Sequence, residues 1–229
     1  MSNFLLVHGA FHGAWCWDVL IPELEALGDT AEAVDLPIEQ AGAGPDRYAA
    51  VVAERLATMR RPVWLVGHAM GGTVIPRVRP LDGVAGLIYL CPGLPARNDS
   101  EHEENLAALA PGLTDTFRID GQGMITMSAA DAAARVYNCT PVKLRDWAIP
   151  RMRRQWAGGI VTEQNSFEGY PDLPCHVILA EDDQILALPR IAAIARQRLG
   201  VEPIVLPGDH SPIIARPHEL AALFHRLAA

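Results

Sequence analysis

One stretch constrains the fold more than any other. The apolar run Val63-Trp64-Leu65-Val66 passes without a spacer into Gly67-His68-Ala69-Met70-Gly71-Gly72. A short, continuous apolar run suits a strand buried on both faces, as in a parallel sheet covered by helices. Three glycines in six residues permit a crowded reversal, and the pattern from Met70 to Val78 suits a helix. Strand, sharp turn and helix in that order form the G-x-S-x-G arrangement, which holds one side chain exposed above the sheet. In this chain that position is Ala69, where the arrangement carries serine.

The rest of the chain repeats the alternation of short apolar runs with longer amphipathic ones, which predicts an α/β fold with a mostly parallel sheet of about six strands and helices on both faces. Strands are expected at Phe4–His8, Glu32–Leu36, Val63–Gly67, Ala85–Cys91, Cys175–Ala180 and Pro203–Leu206. Helices are expected at about Trp15–Leu27, Pro45–Arg60, Met70–Val78, Leu188–Leu199 and Pro217–Leu227. Between Pro92 and Pro174 the strand pattern stops, and helical stretches are broken by Gly112, Gly121, Gly123 and Pro141. This predicts a small helical cap, residues 93–173, inserted after the fourth strand of a single domain spanning 1–229. Ser128 ahead of Ala129-Ala130-Asp131 reads as the N-cap of one cap helix.

A chain of 229 residues, half of them hydrophobic, can bury a sizeable core. A net charge of −8 and a pI near 5.4 argue against binding nucleic acid or an anionic membrane through a basic surface. The one basic cluster, Arg151-Met152-Arg153-Arg154, reads as a solvated helix face. The amino terminus enters an apolar strand with no basic n-region, and no apolar run reaches membrane-spanning length. Cys16, Cys91, Cys139 and Cys175 lack paired spacing, which favours reduced thiols and a cytoplasmic location over a disulfide frame or a zinc site. Asn138-Cys139-Thr140 matches a glycosylation sequon, which carries no weight without an export signal.

Ligands of open α/β sheets sit beyond the carboxyl ends of the strands, so residues just after strands are the first candidates for chemistry. Those ends carry His8-Gly9-Ala10-Phe11-His12-Gly13, Ala69, Asp182 and His210. The order nucleophile, acid, histidine is that of the G-x-S-x-G hydrolases. His210 fits the base and Asp182 the carboxylate that orients it, preferred over the adjacent Asp183 and over Asp99 beyond the fourth strand. Backbone N–H groups of Ala10 and Met70 fit the oxyanion donors. Phe11 is the favoured substrate-touching side chain, with Tyr137 and Trp147 next. These two belong to a cap set, with Phe117, Met124, Met127, Met152 and Trp156, from which an apolar pocket roof would be drawn. His8, His12 and His68 read as hydrogen-bonded loop residues, and His102, His176, His218 and His225 lack metal-ligand spacing. No cofactor motif is present and no metal is expected.

The opening Phe4-Leu5-Leu6-Val7-His8-Gly9-Ala10-Phe11-His12-Gly13-Ala14-Trp15-Cys16-Trp17 resembles the methylesterase and hydroxynitrile lyase branch of the α/β-hydrolase superfamily, which includes salicylate methyl esterase and bacterial ester and carbamate hydrolases. The turn at 67–72, Ala180-Glu181-Asp182 and Gly208-Asp209-His210 match that branch in order and spacing; the cap matches poorly. Lyases of the branch carry threonine where this chain has Gly9, and lysine where it has Ser211. Both departures point toward hydrolysis of a small ester-like substrate. The resemblance implies an α/β-hydrolase fold, Asp182 as acid, His210 as base and Ala69 at the serine site.

Alanine there has two explanations. Either a serine was replaced to give an inactive variant, which the retained acid, histidine and oxyanion donors favour, or a natural chain without the nucleophile uses His210 and Asp182 as a cofactor-free lyase, isomerase or oxygenase base, or only binds a ligand. A homodimer is compatible with the sequence, which does not require one.

Overall fold

The computed structural model describes residues 1–161 and 167–229. Six parallel strands form the main sheet: β1 (Asn3–Val7), β2 (Thr30–Val34), β3 (Val63–His68), β4 (Val84–Leu90), β8 (Cys175–Ala180) and β9 (Ile204–Leu206). The remaining strands, β5 (Phe117–Ile119), β6 (Met124–Met127) and β7 (Gln155–Trp156), form a separate antiparallel sheet. The main sheet runs in the order β2-β1-β3-β4-β8-β9. The chain leaves β1 toward one edge and returns to pair β3 on its other side, so the topological switch point, where such sheets bind ligands, lies between the ends of β1 and β3.

Alternation along each strand divides the core. Leu5 and Val7 join one cluster with Tyr48, Val52 and Leu56 of α2 (Pro45–Leu56) and Ile191, Ile194 and Ala195 of α8 (Leu188–Leu199). Phe4 and Leu6 face the other way, against Leu24 of α1 (Ile21–Ala26) and Leu220 and Phe224 of α10 (Pro217–Leu227). All six residues of β3 are buried, as its continuous apolar run requires.

Prolines restart helices that periodicity alone reads as continuous. The stretch expected as Trp15–Leu27 is a 3₁₀ turn at Ala14–Trp17 followed by α1, with Pro22 in its first turn. The stretch expected as Met70–Val78 is α3 (Gly71–Val74) followed by a 3₁₀ turn at Ile75–Arg77 containing Pro76. The helix begun at Pro45 stops at Leu56, short of Arg60.

The segment 93–173 departs further from expectation, because it contains β5, β6 and β7 as well as helices; residues 162–166 of it lie outside the described set. At three, four and two residues these strands are too short to show an alternating pattern. α4 (Asp99–Ala107) opens the segment, with the Asn98 side chain accepting the Glu101 N–H. The helices α5 (Ala129–Arg135), α6 (Val142–Ala148) and α7 (Gly158–Val161) follow in it, and α9 (Pro212–Ala215) lies beyond, just after His210. Ser128 caps α5, its hydroxyl accepting the Asp131 N–H at 3.1 Å. The basic cluster is not a helix face: Arg153 bonds to Asp35 and Glu39 and Arg154 to Asp120, tying extended chain to the body and to the small sheet. No described helix is long and apolar enough to cross a membrane.

Candidate active site

Ala69 sits at the tip of the turn between β3 and α3 with φ of 48°, a left-handed conformation rarely held by a side-chain-bearing residue. Three backbone bonds fix it: its N–H donates to the Leu90 carbonyl at 3.0 Å, and its carbonyl accepts the N–H groups of Gly72 at 2.9 Å and Gly93 at 2.8 Å. The flanking glycines are sterically required. A Cβ on Gly67 would lie 2.5 Å from the Gly71 carbonyl oxygen, and one on Gly71 would lie 2.5 Å from the Val7 carbonyl oxygen. Among the described residues, neither the Met70 N–H nor the Ala10 N–H has a hydrogen-bond acceptor, and both residues line the same cavity as Ala69.

His210 lies on the loop after β9. Its Nδ1–H donates to Asp183 Oδ2 at 2.7 Å, and both side chains are almost fully buried. The other Asp183 oxygen accepts the N–H groups of Ile185 at 2.7 Å and Leu186 at 2.9 Å, so the carboxylate is held before the imidazole meets it. With the proton on Nδ1, Nε2 keeps its lone pair as a base.

The carboxylate that meets His210 is thus Asp183, one residue on from the expected Asp182. Asp182 is exposed and bonds instead to the neighbouring loop, its N–H donating to the Gly208 carbonyl and its carboxylate accepting the Gly208 N–H. These bonds tie Asp182 to the loop after β9, and the next side chain, Asp183, is the one that meets His210. Asp99 stands at the exposed first turn of α4.

The histidines beside the site are neutral fixtures. His8 donates through Nδ1 to the Gly9 carbonyl and accepts the Leu36 N–H at Nε2; His12 donates through Nδ1 to the Ala10 carbonyl and accepts the Tyr137 hydroxyl at Nε2. Burial, opposed by those carbonyl bonds, lowers both to about 4. His68, which donates to the His210 carbonyl, is also pushed well below its ordinary range, first by burial. A histidine whose folded pKa is depressed stabilises the fold fully above its unfolded value, about 6.5, and that contribution is lost as pH falls toward the folded value. The melting temperature should hence fall steeply between pH 6.5 and 4, and His12→Gln should shallow the fall. A melting temperature flat across that interval would contradict the assignment.

The cavity above Ala69 has a volume of about 450 Å³ and reaches from His210 and Phe11 to Leu106 of α4 and Ile119 of β5, which are themselves exposed at its rim. Among the described residues, no Asp, Glu, Lys or Arg lines it. Phe11 does, with φ of 63° and its ring 5.7 Å from that of Phe117. Of the cap set, Phe117 and Met127 line the cavity; Met124, Met152 and Trp156 do not.

Tyr137 and Trp147, expected to touch substrate, lie elsewhere. Tyr137 is buried beneath the loop after β1, against His12, and Trp147 packs on Trp15 with the Arg151 guanidinium over its ring. One neighbour of the site had no sequence motif to announce it. Cys91, just after β4, is buried with φ of 42°, and its Sγ lies within 4.8 Å of a carboxylate oxygen of Asp183 and a ring nitrogen of His210. Burial and the Asp183 and Asp209 carboxylates hold its thiol well above the ordinary range, so it stays protonated.

Comparison with known proteins gives the same picture. Methylesterase 1 of Arabidopsis thaliana is 26% identical over 99% of this chain and 96% of its own length. The pyrethroid hydrolase of Sphingobium wenxiniae is 27% identical, covering 96% of this chain and 85% of its own. The crystal structure of polyneuridine aldehyde esterase superposes over the whole of both chains with a TM-score of 0.82 at 18% identity. The description of the alpha/beta hydrolase family matches residues 4–223, nearly the full length, and with six parallel strands and the turn at Ala69 in place, this chain belongs to that family.

Proposed function

We propose that this is the site of an ester hydrolase acting on a small, uncharged carboxylic ester or carbamate, and that Ala69 leaves it without its nucleophile. One observation carries the reading. Among the described residues, two N–H groups without an acceptor and a buried, hydrogen-bonded imidazole–carboxylate pair flank the tip of a strained turn, on the wall of a cavity that no Asp, Glu, Lys or Arg lines.

With serine at 69, His210 Nε2 would take the hydroxyl proton as Oγ attacks the substrate carbonyl. The N–H groups of Ala10 and Met70 would hold the oxyanion, and Asp183 would steady the imidazolium. The imidazolium then returns the proton to the departing alcohol, leaving an acyl-enzyme that water, activated by the same imidazole, hydrolyses. Without the hydroxyl the acyl-enzyme cannot form, and only the donors and the bound geometry assist. Among the described residues no Asp, Glu, Lys or Arg lines the cavity, which favours neutral acyl or aryl groups over anionic ones. A plant methylesterase and a bacterial pyrethroid hydrolase among the relatives support the reaction class.

A second reading is favoured by the intact Asp183–His210 pair beside a methyl group. In that reading the imidazole removes a proton from a carbon acid and the same N–H groups hold the resulting enolate oxygen. The test runs the present chain, Ala69→Ser and His210→Ala in parallel against p-nitrophenyl esters, aryl carbamates and lactones. Hydrolysis that appears only with Ala69→Ser supports the first reading. Turnover by the present chain that disappears with His210→Ala supports the second, and a chain that binds without turnover in every form is a receptor.

A further inference from the structure

Four consecutive residues of the cap segment reach three of the four loops that carry the proposed machinery, all but the turn at Ala69. The Tyr137 hydroxyl donates to His12 Nε2 at 2.7 Å, two residues beyond Ala10. Asn138 Nδ2 donates to the Asp182 carbonyl at 3.0 Å, one residue before Asp183. The Cys139 N–H and the Thr140 hydroxyl both donate to Asp209 Oδ2, at 2.9 and 2.7 Å, one residue before His210. Asp209 is completely buried, and its other oxygen takes the Ser211 N–H at 3.0 Å, so uncharged donors on both sides of His210's loop hold the carboxylate.

We propose that Tyr137–Thr140 is a positioning element that sets the oxyanion, acid and base loops relative to one another, with Thr140 acting on His210 through Asp209. The catalytic consequence rests on the hydrolase reading; the geometric claim does not. Anchoring a cap would need only some bonds to the body. Here the bonds end on residues one or two positions from Ala10, Asp183 and His210, and on three separate loops.

The Thr140 contribution is the strongest of the set, because a hydroxyl donating to a buried carboxylate is charge-assisted and its loss leaves that charge short of a donor. The cheapest relief is movement of the 208–211 loop toward other donors. That movement carries the imidazole with it.

The experiment uses Thr140→Val, which keeps the shape and removes the donor, and Thr140→Ser, which restores a hydroxyl. The ring 1H and 15N signals of His210, assigned by their loss in His210→Ala, are recorded in the present chain and need no activity. The rate of labelling by a sulfonyl fluoride is measured in the Ala69→Ser background. Thr140→Val should shift the His210 ring signals and slow labelling by about 10²-fold, the cost of displacing a reacting group by about 1 Å. Thr140→Ser should return both toward the parent.

A folded Thr140→Val with parental signals and labelling overturns the proposal, as does a Thr140→Ser that behaves like the valine variant. Should Thr140→Val fail to fold, Tyr137→Phe removes a single oxygen and tests the oxyanion arm: slowed labelling with His210 signals in place supports the element, and unchanged labelling overturns it. If Ala69→Ser never labels, the hydrolase reading fails, while the His210 signals in Thr140→Val and Tyr137→Phe, with the His12 ring signals in the latter, still decide whether the cap positions the loops.

Discussion

Ala69→Ser should turn this chain into an esterase that is stoichiometrically labelled by a sulfonyl fluoride or organophosphate, with turnover on a reactive aryl ester above the present chain by up to about a millionfold. The size follows from how little else must change. The backbone at 69 already holds φ of 48°, so the strained turn is in place before the hydroxyl is added. His210 already directs its Nδ1–H to Asp183, and among the described residues the N–H groups of Ala10 and Met70 have no acceptor. The first loop also leaves room at residue 69: a Cβ on Gly9 would lie 2.8 Å from the Ala69 Cβ, and glycine there avoids that clash.

The gain should collapse again in Ala69→Ser/His210→Ala, because residues that act as a unit are not additive: once the base is gone the serine contributes little. An Ala69→Ser protein that folds like the parent yet hydrolyses no ester, carbamate or lactone and takes no label would remove the hydrolase reading. Activity in the present chain equal to that of Ala69→Ser would do the same from the opposite side, since it would show that the hydroxyl has no part in the reaction.

The sheet was legible because its signals are strong and local. Cys175–Ala180, Leu188–Leu199 and Pro217–Leu227 lie where periodicity placed them, the two helices with proline in their first turn and Gly200, at φ of 69°, stopping the first of them. The turn at 67–72 was legible for a different reason: close packing of α3 on β1 leaves no room for side chains, so its glycines are written into the sequence. The cap was not, because its strands run two to four residues and α4 is a charged helix, Asp-Ser-Glu-His-Glu-Glu-Asn-Leu-Ala, with almost no apolar stripe to read. Tyr137 shows the limit most plainly. As an aromatic cap residue it fits a pocket wall equally well, and only the tertiary position of His12, 125 residues away, decides that its hydroxyl works beneath the loop.

Asp182 and Asp183 present the sharpest case of a signal one residue wide, and they give the second large expected effect. In the Ala69→Ser background, Asp183→Asn should lower turnover by about 10⁴-fold, because an amide can offer His210 Nδ1 a donor as readily as an acceptor and so permits the tautomer with its proton on Nε2, where the lone pair is needed. Asp182→Asn should cost far less, since its carboxylate accepts one backbone N–H, from Gly208 at 3.3 Å, and an amide oxygen can do the same. The two variants carry the same loss of charge on consecutive residues, so net charge cannot separate them; contact with the imidazole can. Comparable losses in both would mean that the negative charge of the loop matters more than the 2.7 Å bond to His210. A large loss in Asp182→Asn alone would restore the acid role to the residue the chain order first suggested. The structure shows what the sequence does not: the Asp183 side chain folds back on its own turn, one carboxylate oxygen accepting the N–H groups of Ile185 and Leu186. That bond pair occupies one oxygen and fixes the other toward His210, which is the arrangement a carboxylate needs if it is to orient an imidazole.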